Sequence, residues 1–185
     1  MAKKIAVLVG SMRKDSYTRK IAKELIKYAP AALDMKIVEI GQLPLFNEDD
    51  EKPTSKEWIA FRDTMKGMDG FLFCTPEYNR SIPGVLKNAI DVGSRPYGQS
   101  IWGGKPAAIV SISQGAIGGF GANNHLRQCF VFLNVPCMQQ PEAYLSNVGQ
   151  LFDADGFLKN ENTSEFLKKY IEAYANWVDV FAKGN

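Results

Sequence analysis

The chain has 185 residues, enough for one domain of ordinary size with a core that needs no metal or disulfide staple. Its 22 lysines and arginines against 20 aspartates and glutamates leave a formal charge of +2, too balanced for a dedicated nucleic-acid or membrane-surface binder. The three cysteines, Cys74, Cys129 and Cys137, are odd in number and form no CxxC pair, so they read as reduced apolar side chains of a cytoplasmic protein rather than as a disulfide framework.

The start MAKK is followed by an apolar run too short for a secretory signal, which breaks at Ser11, Arg13, Lys14 and Asp15. Nowhere does an apolar run reach the length of about 18 residues that a membrane span needs. Ile5–Val9 is continuously apolar, as a parallel strand covered on both faces should be, and Gly10 and Ser11 end it. From Ser16 to Ala29 the spacing turns helical. Ile21, Ala22, Leu25, Ile26 and Ala29 share a stripe, the charged residues take the other face, and Pro30 stops the helix. Met35–Ile40 predicts a second strand, and Ser55 predicts the start of a helix over 56–67. Gly70–Thr75 predicts a third strand. A helix at 84–92, a strand at 106–112, a helix at 122–132, a fifth strand at 135–139 and a final helix at 163–182 follow.

That alternation predicts an α/β fold, a doubly wound five-stranded parallel sheet with helices on both faces, in a single domain over 1–185. Ligands of such sheets lie beyond the carboxyl ends of the strands where the strand order reverses, here between strands one and three. The loops after Val9, Thr75 and Ser113 are therefore the candidate site.

The first loop offers Ser11, Arg13, Ser16, Tyr17 and Thr18 where free backbone N–H groups and a helix dipole favour an anion such as phosphate. Ser16 is equally an ordinary helix N-cap. Neither GxxxxGK[ST] nor GxGxxG occurs here. The second loop, TPEYNRSIPG, sets Pro76, Tyr78 and Asn79 at a strand exit where a planar ligand can lie, or forms a plain turn into the helix that Ser81 and Pro83 announce. The third carries four glycines between 115 and 121, suited either to close ligand approach or to a flexible connection. Ser113, Gln114 and Gly115, at the strand end, are its ligand candidates.

GSMRKDSYTRKIA (10–22) and TPEYNRSIPGVLKNAID (75–91), with GKPAAIVSISQGAIGG (104–119) and HLRQCFVFLNV (125–135), resemble the NADPH-dependent FMN reductase family of flavodoxin-like proteins, which includes soluble quinone, azo-dye and chromate reductases. The resemblance runs over nearly the whole chain. It implies a flavodoxin-like strand order 2-1-3-4-5, noncovalently bound FMN, and NADPH or NADH as co-substrate. By position, Ser11, Arg13, Ser16, Tyr17 and Thr18 correspond to the family's phosphate loop, Pro76, Glu77, Tyr78 and Asn79 to the loop holding the isoalloxazine, and Ser113 to a contact near the flavin's polar edge.

Two positions depart from the family's pattern. Thr18 stands where the family often has Asn, and Arg80 follows PEYN where smaller or aromatic residues are common. Arg80 either pairs with the dinucleotide's extra phosphate or is simply solvated. The resemblance also implies ping-pong transfer to a small-molecule acceptor with no catalytic side chain, so His125 is expected to be a helix residue and Glu77 a loop anchor. It further implies a homodimer or homotetramer. In the sequence itself, Asp91, Tyr97, Trp102, Phe120, Arg127 and Phe130 either cross such an interface or pack within the single-chain core. The competing readings are an electron carrier, which the charge of +2 disfavours, and an FMN redox-sensing module.

Overall fold

The computed structural model describes residues 1–182. Continuous apolar runs become strands buried on both faces because successive side chains point to opposite sides of a sheet. In β1 (Lys3–Val9), Ile5, Val7 and Val9 enter one core while Ala6 and Leu8 enter the other. The remaining strands are β2 (Leu33–Val38), β3 (Gly70–Pro76), β4 (Ala107–Ile112) and β5 (Ala143–Leu145). All pair in parallel, in the order β2-β1-β3-β4-β5, which is the doubly wound, flavodoxin-like arrangement expected from the sequence.

Helices cover both faces. On one side, α1 (Tyr17–Tyr28) contributes Ile21 and Leu25, and α5 (Glu161–Ala182) contributes Leu167, Tyr170, Ile171 and Tyr174. The two tyrosines also tie helix to sheet, their hydroxyls donating to the carbonyls of Ile109 and Phe71 at 2.8 Å each. On the other side, α2 (Lys56–Lys66), α3 (Gly84–Ser94) and α4 (Phe120–Phe132) pack Trp58, Leu86 and Leu126 against Leu8, Phe71 and Phe73. Ser16 and Ser55 cap α1 and α2, each Oγ accepting from a backbone N–H three residues on at 3.2 Å. The two helix starts therefore fall where the sequence places them.

Three expectations need correction. The second strand runs over Leu33–Val38 rather than Met35–Ile40, because its ladder with β1 stops at Leu8↔Val38 when β1 itself ends. The fifth strand is at Ala143–Leu145, not 135–139. The earlier segment does run beside β4, but through one isolated bridge, Ala107↔Cys137, since Pro136 and Pro141 have no N–H to donate to a ladder. Finally, of the interface candidates Phe130 and Trp102 are internal and Arg127 is half-buried. Phe130 lies 4.8 Å from the Phe73 ring and Trp102 4.9 Å from Phe71, both 1% exposed, while Arg127 ties α4 to the carbonyl of Met138 at 3.1 Å. Of the interface candidates, Tyr97 and Phe120 are exposed.

Candidate functional site

The carboxyl ends of β1, β3 and β4 open onto a cavity of about 250 Å³. Its first wall is the turn from β1 into α1, where Ser11, Ser16 and Thr18 are each 3% exposed yet border the cavity. The hydroxyls of Ser11 and Thr18 have no hydrogen-bonding partner among the described residues. Ser16 Oγ accepts from Arg19 N, which leaves its own proton free to donate. The N–H groups of Tyr17 and Thr18, in the first turn of α1, point out of the helix without intrahelical acceptors. Three hydroxyls, two amides and a positive helix end thus converge on one spot.

The cations of this stretch are sorted by their partners. Arg19 forms a two-pronged pair with Glu39 at 2.7 Å for both prongs, which holds the Glu39 carboxyl below its ordinary range. Lys20 lies over the stacked rings of Tyr17 and Phe152, 5.5 Å and 5.6 Å from their centroids, and so fixes Tyr17 at the cavity edge. Arg13 borders the cavity with no ion-pair partner among the described residues. It is the guanidinium left over for an anion.

The second wall is the turn after β3. Tyr78 N donates to Ser81 O at 2.9 Å and Ser81 N to Tyr78 O at 3.0 Å, closing a tight hairpin with Asn79 and Arg80 at its tip. Pro76, Glu77 and Tyr78 border the cavity, and the Tyr78 ring is 46% exposed at its mouth. The Glu77 carboxylate is engaged at both oxygens: Oε1 accepts from Arg80 Nη1 at 3.3 Å, and Oε2 accepts from Ala122 N at 3.0 Å, capping α4, whose own N-cap Gly119 has no side chain to do so. Glu77 thus anchors the loop to the start of α4. His125 is a helix residue as expected, with Nδ1 2.6 Å from Ser81 Oγ.

The third wall brings Ser113 and Gln114, as expected from the sequence, together with Ile112 and Val148. Val148 was not foreseen, because it follows the misplaced fifth strand. Gly115 does not border the cavity. Its N–H donates to Ser113 Oγ at 3.0 Å and its carbonyl accepts from Asn147 N at 3.1 Å, so it holds the Ser113 turn to the segment after β5. Asn79 also stands outside the lining, at the hairpin tip. The glycines that look flexible in sequence are packed: a Cβ on Gly118 would meet Tyr144 at 2.6 Å, and Gly119 adopts φ 77° to turn the chain into α4.

A second cavity, of about 270 Å³, opens at the amino ends of the strands between Lys3, Asp69 and Lys105. Its cations are spent, Lys3 facing Asp69 at 4.0 Å and Lys105 donating to the last carbonyls of α2. Of these two cavities, the carboxyl-end one is the one with unpartnered donors among the described residues. Among the described residues no cluster of side chains suits a metal, and no helix is long and apolar enough to cross a membrane.

The sequence profile of the NADPH-dependent FMN reductase family matches residues 3–150. A quinone reductase of Pseudomonas putida (strain KT2440) is 59% identical over 175 residues, covering 94% of each chain. A 2-hydroxy-1,4-benzoquinone reductase of a Burkholderia species is 46% identical over 178 residues, covering 96% of this chain and 97% of its own. Among solved structures, the flavoenzyme NAD(P)H:(acceptor) oxidoreductase FerB of Paracoccus denitrificans superposes with a TM-score of 0.91 at 39% identity, covering 97% of this chain and 99% of that one.

Proposed function

The chain belongs to the NADPH-dependent FMN reductase family, and from that premise we propose that the carboxyl-end cavity binds FMN and reduces quinones at the expense of NAD(P)H. The single observation that carries the assignment is the set of unpartnered donors on the turn into α1: buried serine and threonine hydroxyls with no protein acceptor suit a phosphate monoester, and Arg13 supplies a planar fork of donors beside them.

Bound there, FMN supplies the redox chemistry, accepting a hydride equivalent from the nicotinamide and delivering two electrons to the acceptor. Overall, quinone, NAD(P)H and one proton become hydroquinone and NAD(P)⁺. The chain's contribution is placement. Ser11, Ser16, Thr18 and Arg13 would hold the FMN phosphate. Pro76, Glu77 and Tyr78 would border the ring system from the turn after β3, and Ser113 and Gln114 would present polar groups to it from the turn after β4. Donor and acceptor then share one opening and visit it in turn, a ping-pong order. An opening of this kind selects weakly by shape, so azo compounds, free flavins and chromate fall within the same acceptor class. The chain acts in the cytoplasm as a homodimer or homotetramer, with Tyr97 and Phe120 as the exposed aromatic groups available to a second copy.

The test is direct. Flavin-free protein should take up one FMN per chain and, with a simple benzoquinone and no partner protein, oxidise NADPH or NADH in steady state with parallel double-reciprocal lines. A chain that takes up no FMN would refute the assignment. A chain that binds FMN but turns over only with a protein partner would make it an electron carrier instead.

A further inference from the structure

We propose that Arg80 is a specificity-determining residue that binds phosphate oxygens of the dinucleotide donor, a proposal that rests on the reductase reading above. Both central residues of the hairpin Tyr78–Ser81 have positive φ, 51° at Asn79 and 65° at Arg80. Two-residue hairpins of this type take asparagine readily at the first central position and glycine at the second, where an L side chain is strained. Arginine occupies the glycine position.

The strain cannot relax, because the hairpin is seated from three directions. A Cβ on Gly121 would lie 2.9 Å from both Arg80 O and Glu77 Oε2, so α4 approaches the turn as closely as a bare backbone allows. Glu77 is bound to the amino end of α4 through Ala122 N. Ser81 is held by His125. The root of the Arg80 side chain is thereby fixed at the hairpin tip, two residues beyond Tyr78, which borders the cavity.

The guanidinium itself is free to act. The Arg80 side chain is 75% exposed, only Nη1 is engaged, at 3.3 Å from Glu77 Oε1, and Nε and Nη2 have no partner among the described residues. An open guanidinium fork suits a phosphate. Simple quinones carry no charge, whereas both nicotinamide dinucleotides carry a bridging diphosphate and NADPH carries a further 2′-phosphate. A cation on the hairpin beside this cavity therefore discriminates donor from acceptor, and strain at a functional turn is the usual cost of such placement.

The FMN-loaded enzyme with Arg80→Gly or Arg80→Gln tests this. Glycine relieves the turn, so R80G should melt no lower than the unsubstituted protein, which separates the effect from misfolding. In both variants the donor KM should rise about tenfold or more, the loss of one charge-assisted contact, while the quinone KM stays within about twofold. Equal losses with NADH and NADPH assign the contact to the diphosphate, and a loss confined to NADPH assigns it to the 2′-phosphate. Added salt should raise the donor KM of the unsubstituted enzyme more steeply than that of R80Q. Donor KM values unchanged within about twofold, or a rise in the quinone KM instead, would overturn the proposal. Absence of FMN uptake by the unsubstituted protein is a separate result that removes the reductase reading itself.

Discussion

Ser16 performs two tasks that substitution can separate. Its Oγ caps α1 by accepting from Arg19 N at 3.2 Å, and its proton is free for a phosphate in the cavity. Ser16→Ala loses both, whereas Ser16→Asp keeps the cap, since aspartate is an equally good N-cap and favours the positive helix end. By urea denaturation of flavin-free protein, S16A should lose about 1 kcal/mol, equivalent to roughly 2–4 °C at this chain length, and S16D should stay within about 0.5 kcal/mol of the parent. FMN affinity should follow the opposite ranking. S16A forfeits one hydrogen bond to a charged group, about 1.5–3 kcal/mol, or on the order of 10- to 100-fold in Kd. S16D sets a carboxylate against the phosphate. One charge pair at about 4 Å and an effective dielectric near 20 costs about 4 kcal/mol, so roughly a thousandfold loss is expected. Fluorescence titration with FMN reads the Kd. If folded S16D binds FMN within about threefold of the parent, the phosphate does not sit at α1 and the orientation of the cofactor proposed above is wrong.

Gly121→Ala pushes a Cβ to 2.9 Å from Glu77 Oε2 and the Arg80 carbonyl, so it should destabilise by about 1–3 kcal/mol in a thermal melt and weaken FMN retention together, since the same hairpin carries Tyr78. Burial pushes the Cys74 thiol up to about 12 and Cys137 to about 11, so near neutral pH iodoacetamide should label neither in the folded protein. Mass spectrometry should find Cys74 modified only after urea is added, and labelling of Cys137 should rise as the pH approaches 11. The hydrogen bonds from Arg19 hold Glu39 below its ordinary value near 4.5, so the pair's contribution is complete above that pH and is lost as pH falls through the lowered value. Because both side chains reach solvent, the contribution is below about 1 kcal/mol, and Arg19→Gln should flatten the acid limb of a pH–stability curve by no more than that.

The sequence discloses the central sheet because strands covered on both faces are written as unbroken apolar runs: Ile5–Val9 and Gly70–Thr75 admit little else. It conceals the edge. β5 has three residues and pairs only with β4, so it carries little periodicity, while the preceding apolar stretch is kept from forming a ladder by two prolines that a pattern of hydrophobicity does not weigh. That misplacement hid Val148. Phe130 and Phe132 show the same limit on a helix, being two residues apart on α4 with one 1% and the other 90% exposed. The polar residues of the three turns were legible because strand ends in this topology must converge. The contact of Glu77 with Ala122 was not, since it joins residues 45 apart and depends on the missing side chain of Gly121.

The helix α5 is translated after every strand it shelters. Until Leu167, Tyr170, Ile171, Tyr174 and Val178 leave the ribosome, one whole side of the sheet has only α1 as cover, and the Phe71 and Ile109 carbonyls lack their phenol donors. A nascent chain at that stage presents an apolar, half-clad sheet face.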